Sequence, residues 1–137
     1  MTDEQTFNTN SLFQSVSYDN GAEAWSLFFA ENISFNISGF WRLLKNDEIW
    51  LVSFDHGHKF GRDVPVNTVE EAENLLTGQR LTKIEIKQGT GDLVLELTDG
   101  IKIQAFISST GYETYDFNYG NKRFIGMGSG DIAIFSI

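Results

Sequence analysis

The 137-residue chain contains no cysteine. That absence excludes a disulfide framework, a thiolate metal site and a cysteine nucleophile, and it fits a reducing compartment. Positive charge is scarce: 10 Lys and Arg stand against 19 Asp and Glu, for a net charge of −9. The field around such a protein repels phosphate backbones and anionic headgroups, so nucleic acid and membrane surfaces are poor partners. A basic protein is a better one, although acidity also serves solubility. No apolar run approaches transmembrane length, and the opening MTDEQTFNTN lacks the basic segment and apolar core of a secretory signal. The expectation is a soluble cytoplasmic protein, in which the Asn32-Ile33-Ser34 and Asn36-Ile37-Ser38 triplets are chance matches to glycosylation acceptors. Histidine occurs only at His56 and His58, and proline only at Pro65.

What is present is aromatic and strand-forming. Twelve Phe, four Tyr and three Trp, with 41% hydrophobic residues overall, are enough for one core in one domain spanning 1–137. No repeat, low-complexity tract or linker divides it. Residues 1–10 show no periodicity and are expected to be flexible or loosely docked.

The stretch from Leu81 to Ile107 reads as three antiparallel strands. Ile84 and Ile86 alternate with Lys83, Glu85 and Lys87, so a four-residue loop, Gln88 to Gly91, sets Ile86 opposite Leu93 and Ile84 opposite Leu95. For the next turn a two-residue Asp99-Gly100 loop would put Leu97 against Lys102 and mix the faces. A three-residue loop, Thr98-Asp99-Gly100, with left-handed Gly100, pairs Leu95 with Ile103 and Leu93 with Ala105 and keeps one face apolar.

Around this meander, Leu12–Tyr18, Trp25–Phe29 and Ile33–Ile37 read as strands. The segment 39–54 reads as a hairpin about Asn46-Asp47 that pairs Lys45 with Glu48, Leu44 with Ile49, Leu43 with Trp50 and Trp41 with Val52. Both its faces come out apolar, which suggests cover on both sides and a homodimer through this hairpin. Thr68 and Glu71 form a capping box for a helix over about 69–76, whose Val69, Ala72, Leu75 and Leu76 share a face. Strands at Tyr112–Asn118, Lys122–Ile125 and Ile132–Ile137 complete the chain. The fold class is α+β, predominantly antiparallel β, with eight to ten strands in a strongly twisted sheet or two-layer structure and one short helix.

Three constellations bear on chemistry. In Asp55-His56-Gly57-His58 the two imidazoles fall on one side of an extended segment, and Asp55, Asp63 or Glu113 would complete a metal set, most simply His56, His58 and Asp63. The pattern resembles the His-x-His opening of a cupin metal motif, but that motif needs a further histidine and the chain has none. The solvated-loop reading outweighs it. Glycines at 126, 128 and 130 precede a β run rather than a helix, which rules out a dinucleotide cradle and leaves a turn or bulge. Tyr112, Glu113 and Asp92 lie at strand ends, where acidic residues usually serve turns. No Gly-x-Ser-x-Gly elbow is present.

Gly39-Phe40-Trp41-Arg42-Leu43-Leu44, Asp55-His56-Gly57-His58-Lys59-Phe60-Gly61, Thr90-Gly91-Asp92-Leu93 and Ser108-Ser109-Thr110-Gly111-Tyr112-Glu113-Thr114-Tyr115, with the closing glycine loop, resemble a family of small uncharacterised bacterial proteins. That family tends to read Tyr-Glu-x-Trp at the last motif, where this chain has Tyr115. The resemblance spans roughly residues 39–134 and brings no catalytic activity with it. Some similar small acidic proteins are encoded beside polymorphic toxins and are thought to be immunity proteins. Two readings follow. The first is a non-catalytic interaction protein without a cofactor, binding a protein partner such as a basic toxin, with Asp55, His56, His58, Asp92, Tyr112 and Glu113 as candidate contacts. The alternative is a small metal-dependent enzyme or ligand-binding β-barrel using His56 and His58.

Overall fold

One long strand, β1 (Gln5–Asp19), joins everything else. In the computed structural model, which describes residues 5–137, its first half pairs with β6 (Arg80–Ile86) from Gln5 to Leu12 and its second half with β2 (Ala24–Phe29) from Phe13 to Asp19. Register breaks between Asn8 and Ser11 and between Phe13 and Ser15 fall where the strand changes partner. Such irregularities bend a strand, and here they fold one sheet over on itself.

The remaining strands are β3 (Ile33–Ser38), β4 (Trp41–Lys45), β5 (Glu48–Val52), β7 (Leu93–Leu97), β8 (Ile101–Ala105), β9 (Tyr115–Tyr119), β10 (Lys122–Gly126) and β11 (Ile132–Ser136). They form a single eleven-stranded sheet in the order β11-β10-β9-β3-β2-β1-β6-β7-β8-β4-β5, and every neighbouring pair is antiparallel. Among the described residues the fold is therefore mostly antiparallel β with one α-helix, as expected, and eleven strands exceed the eight to ten anticipated. Its two end strands, β5 and β11, do not pair with each other, so the sheet stays open and the barrel expectation is corrected. Residues 5–10, expected to be loosely docked, make up the start of β1, where Phe7 packs against the rings of Phe117, Tyr119 and Phe124; residues 1–4 lie outside the described ones.

The core is the space between the two folded-over layers. One layer contributes aliphatic side chains from β6, β7, β8, β4 and β5: Leu81, Ile84, Leu93, Leu95, Ile103 and Leu43 are all essentially inaccessible. The other contributes rings from β1, β2, β3, β9 and β10, among them Trp25, Phe29, Phe35, Phe117 and Phe124. The meander has the expected register, with Ile86 opposite Leu93, Ile84 opposite Leu95, Leu95 opposite Ile103 and Leu93 opposite Ala105. At its second turn Asp99 joins Gly100 in the left-handed region, with φ of 59° and 74°.

Two local expectations are corrected. The 39–54 hairpin begins as predicted, with Lys45 opposite Glu48 and Leu44 opposite Ile49, but a bulge then sets Leu43 against Leu51 and Arg42 against Val52. Trp50 is the extra residue and half exposed, with the Lys45 ammonium 5.4 Å from its ring centroid. The helix α1 (Thr68–Leu76) is capped by Asn67, whose side chain accepts from the Glu70 N–H at 3.1 Å. Thr68 is released from capping for a different task. Ala72 and Leu76 bury the helix's inner stripe against the core.

Candidate functional site

The segment after β5 is held by backbone and hydroxyl contacts before it carries any function. The buried Ser53 hydroxyl accepts from the Trp41 N–H at 2.9 Å and donates to the Gly39 carbonyl at 3.2 Å. Further on, the Gly57 N–H donates to the Val66 carbonyl and the Val66 N–H to the His58 carbonyl, both at 2.8 Å, so residues 59–65 project as an outer loop.

His56 sits on the inner side of this segment. Its Nδ1 receives the Thr68 backbone N–H at 3.1 Å and lies 2.8 Å from the Thr68 hydroxyl, which itself accepts from the buried indole N–H of Trp25 at 2.7 Å. With the backbone N–H donating to it, Nδ1 is an acceptor, and the ring proton belongs on Nε2. The hydroxyl relays one hydrogen bond from indole to imidazole. This chain fastens the start of α1 and the 53–67 segment to β2, and the rings of Tyr18 and Trp25 pack on the imidazole at 4.6 and 6.3 Å. His58 lies outside, its ring stacked with Phe60 at 5.6 Å.

The two histidines line one cleft of about 500 Å³, with Tyr18, Glu23, Trp25 and Phe54. Beside it is a smaller cleft of about 240 Å³ lined by Asn36, Glu113 and Asp116. Ala22 and Ser38 line both, so the two clefts share a wall and together form a two-part groove at the ends of β1, β2, β3 and β9. One end of the groove is aromatic; the other is acidic. Asp116 is partly neutralised by Arg123 at 3.4 Å, whereas Glu113 is exposed.

The other candidates lie apart from the groove. Asp92 accepts the Ile107 N–H at 2.9 Å and so closes the end of β8. Its charge also adds to the effect of burial on Tyr115, whose phenol is pushed well above its ordinary range and donates to the Gly91 carbonyl at 2.7 Å. Tyr112 stands 80% exposed on a turn in which the Ser109 hydroxyl accepts the Gly111 and Tyr112 N–H groups. Asp63 lines a separate hollow with Arg62, Pro65 and Glu70. The set His56, His58 and Asp63 is thus not assembled, and no group of three or more His, Asp or Glu suited to a metal occurs among the described residues.

The glycine loop behaves as a close-packed turn. A Cβ on Gly126 would run into the Tyr115 ring, one on Gly128 into the Thr110 backbone, and one on Gly130 into the Gly89 and Thr90 carbonyls. Sequence reasoning missed Tyr18, Glu23, Trp25 and Thr68. For Thr68 the signal was indirect, since Asn67 followed by Glu70 offers an alternative cap that leaves Thr68 free. No protein-family model, curated protein or solved structure matches the chain. No helix among the described residues is long and apolar enough to cross a membrane.

Proposed function

We propose that this is a non-catalytic interaction protein of bacterial type, acting in the cytoplasm, that receives a basic segment of a protein partner in the groove between His58 and Asp116. In the immunity reading that partner is a toxin. The observation that carries the proposal is the groove itself, one part of which is lined by Glu113 and Asp116 and the adjoining part by Glu23 with the rings of Tyr18 and Phe54. A Lys or Arg entering it meets carboxylates for its charge and aromatic faces for its stem and cation. The chain's −9 charge favours encounter with such a partner. Exposed Tyr112 and Phe60 offer aromatic anchors of the kind that dominate interfaces.

The test starts with recovery of a bound protein from the native cells at low salt, followed by titration of that purified protein against the wild type and a Glu23→Lys, Glu113→Lys double variant. The expected result is binding that weakens as salt rises and falls about tenfold or more in the double variant, since like charges facing each other are costly. A toxin partner is further expected to arrest growth unless this chain is co-expressed. Binding that ignores both substitutions, or no bound protein at all, overturns the proposal.

A further inference from the structure

The β11 edge carries an inference independent of the groove. Its partner β10 pairs Arg123 with Phe135 and Ile125 with Ala133, the Met127 N–H donates to the Asp131 carbonyl, and the Ile137 N–H donates to the Asn121 carbonyl. In an antiparallel ladder hydrogen-bonded and non-bonded positions alternate, so residues 131, 133, 135 and 137 bond inward. Ile132, Ile134 and Ser136 therefore aim their N–H and C=O groups at the open side, where no described strand pairs with them.

Sheet edges are usually blunted by charge, proline or a bulge. The segment Ile132–Ile137 contains no charge and no proline, and its pairing with β10 runs without a register break. Ile134 is 44% exposed and Phe135 is 54% exposed, so apolar surface flanks the open edge.

We propose that β11 docks a second copy of this chain, the two strands pairing antiparallel about a two-fold axis at Ile134. In that register Ile134 faces its own symmetry mate and Ile132 faces Ser136 of the other copy, so every outward N–H meets an outward C=O. The strand is self-complementary in shape as well: Phe135 falls beside Ala133 of the other copy, large against small, twice by symmetry. A contact between two five-residue strands belongs to the class below about 1,200 Å², where association is reversible and concentration-dependent. Because each chain carries −9, salt strengthens this dimer, the opposite of its effect on a basic partner in the groove.

Sedimentation velocity of the purified chain across a concentration series, at low and moderate salt, tests the proposal. The mass is expected to rise from monomer towards dimer with concentration, and more readily at moderate salt. Ile134→Lys places two ammonium groups face to face at the axis and is expected to abolish the dimer; because Ile134 is partly buried beside Phe124, the melting temperature of the monomer is expected to fall modestly, and association is read well below it. Ser136→Pro removes an outward donor that β10 does not use and is expected to weaken the dimer about tenfold or more. Amide exchange at Ile132, Ile134 and Ser136 should slow as concentration rises. A chain that stays monomeric throughout, or a dimer that survives both substitutions but is lost in Trp50→Lys, overturns the assignment; the latter result places the contact on the 39–54 hairpin.

Discussion

The two layers reach the same core by different means. In the β6-β7-β8-β4-β5 layer the inner face is aliphatic apart from the fully buried Trp41, while the outer face carries an ion pair from Lys83 to Glu96 and a hydrogen bond from Arg42 to Gln104 at 2.7 Å. In the β2-β3-β9-β10-β11 layer the inner face is a stack of rings, and the outer face is Ser and Asn on β2 and β3, with a Ser26 to Asn36 hydrogen bond at 2.7 Å, and carries the Asp116 to Arg123 ion pair on β9 and β10. A one-residue slip in the first layer would bury charge and expose Ile and Leu together, so its register is specified from both sides. The second layer depends more on fitting its rings. The edges differ in the same sense: a bulge interrupts β5, whereas β11 is left unbroken and neutral.

The most severe way to break this contrast is to remove the ring at the centre of the aromatic stack. Phe117 lies 4.8 Å from Phe124 and 5.2 Å from Phe35, and Phe117→Ala is expected to cost about 3–5 kcal/mol in chemical denaturation, against about 0.5–1.5 kcal/mol for Ile103→Val in the aliphatic layer. Next comes the hydrogen-bonded relay between the layers. Thr68→Val leaves the Trp25 indole without its acceptor and His56 without one of its donors, for an expected loss of about 1–3 kcal/mol. If the relay fastens the 53–67 segment, amide exchange at Gly57 and Val66 accelerates in the same variant.

Tyr115 sharpens the comparison by pH. Its phenol crosses from the aromatic layer to the Gly91 carbonyl, and its folded-state pKa is raised above the ordinary 10.0, chiefly by burial and further by Asp92. The native state therefore holds the proton more tightly than the unfolded chain. This contribution is fully present below about pH 10 and is lost as pH rises beyond it. Urea denaturation at pH 8, 10 and 11 is expected to show a stability decline that is shallower in Tyr115→Phe. Smallest is the outer ladder: Lys83 and Glu96 are each about a third exposed and 3.6 Å apart, so Glu96→Ala should change stability by less than about 1 kcal/mol. A larger loss would mean that the charged face holds the register actively.

The same contrast explains what the sequence disclosed. The meander could be read because Ile84, Ile86, Leu93 and Leu95 alternate mostly with charged residues, Val94 excepted, and only one loop length keeps the two sets apart. The β5 bulge was hidden because Leu43, Leu44, Ile49, Trp50 and Leu51 are apolar on both faces, and a slip there exchanges one hydrophobe for another. The early part of β1 was hidden because Phe7 alone marks it among polar residues, and its partners come from nearly the far end of the chain. The helix was legible but its cap was not, since Asn67-x-x-Glu70 and Thr68-x-x-Glu71 are adjacent and similar. Of the site, the His56 and His58 segment was legible as an unusual loop. The groove was not, because Ala22 and Glu23 enter it from a turn and Ser38 from the end of β3, and none of them carries a motif.

That β1 belongs to both layers has a consequence for dissecting the molecule. A fragment beginning at residue 20 retains ten strands and the helix yet lacks the seam that brings β2 and β6 together. Supplied in trans, a peptide covering 5–19 would act as the missing stitch, and its uptake would make the assembly of the whole fold switchable from outside.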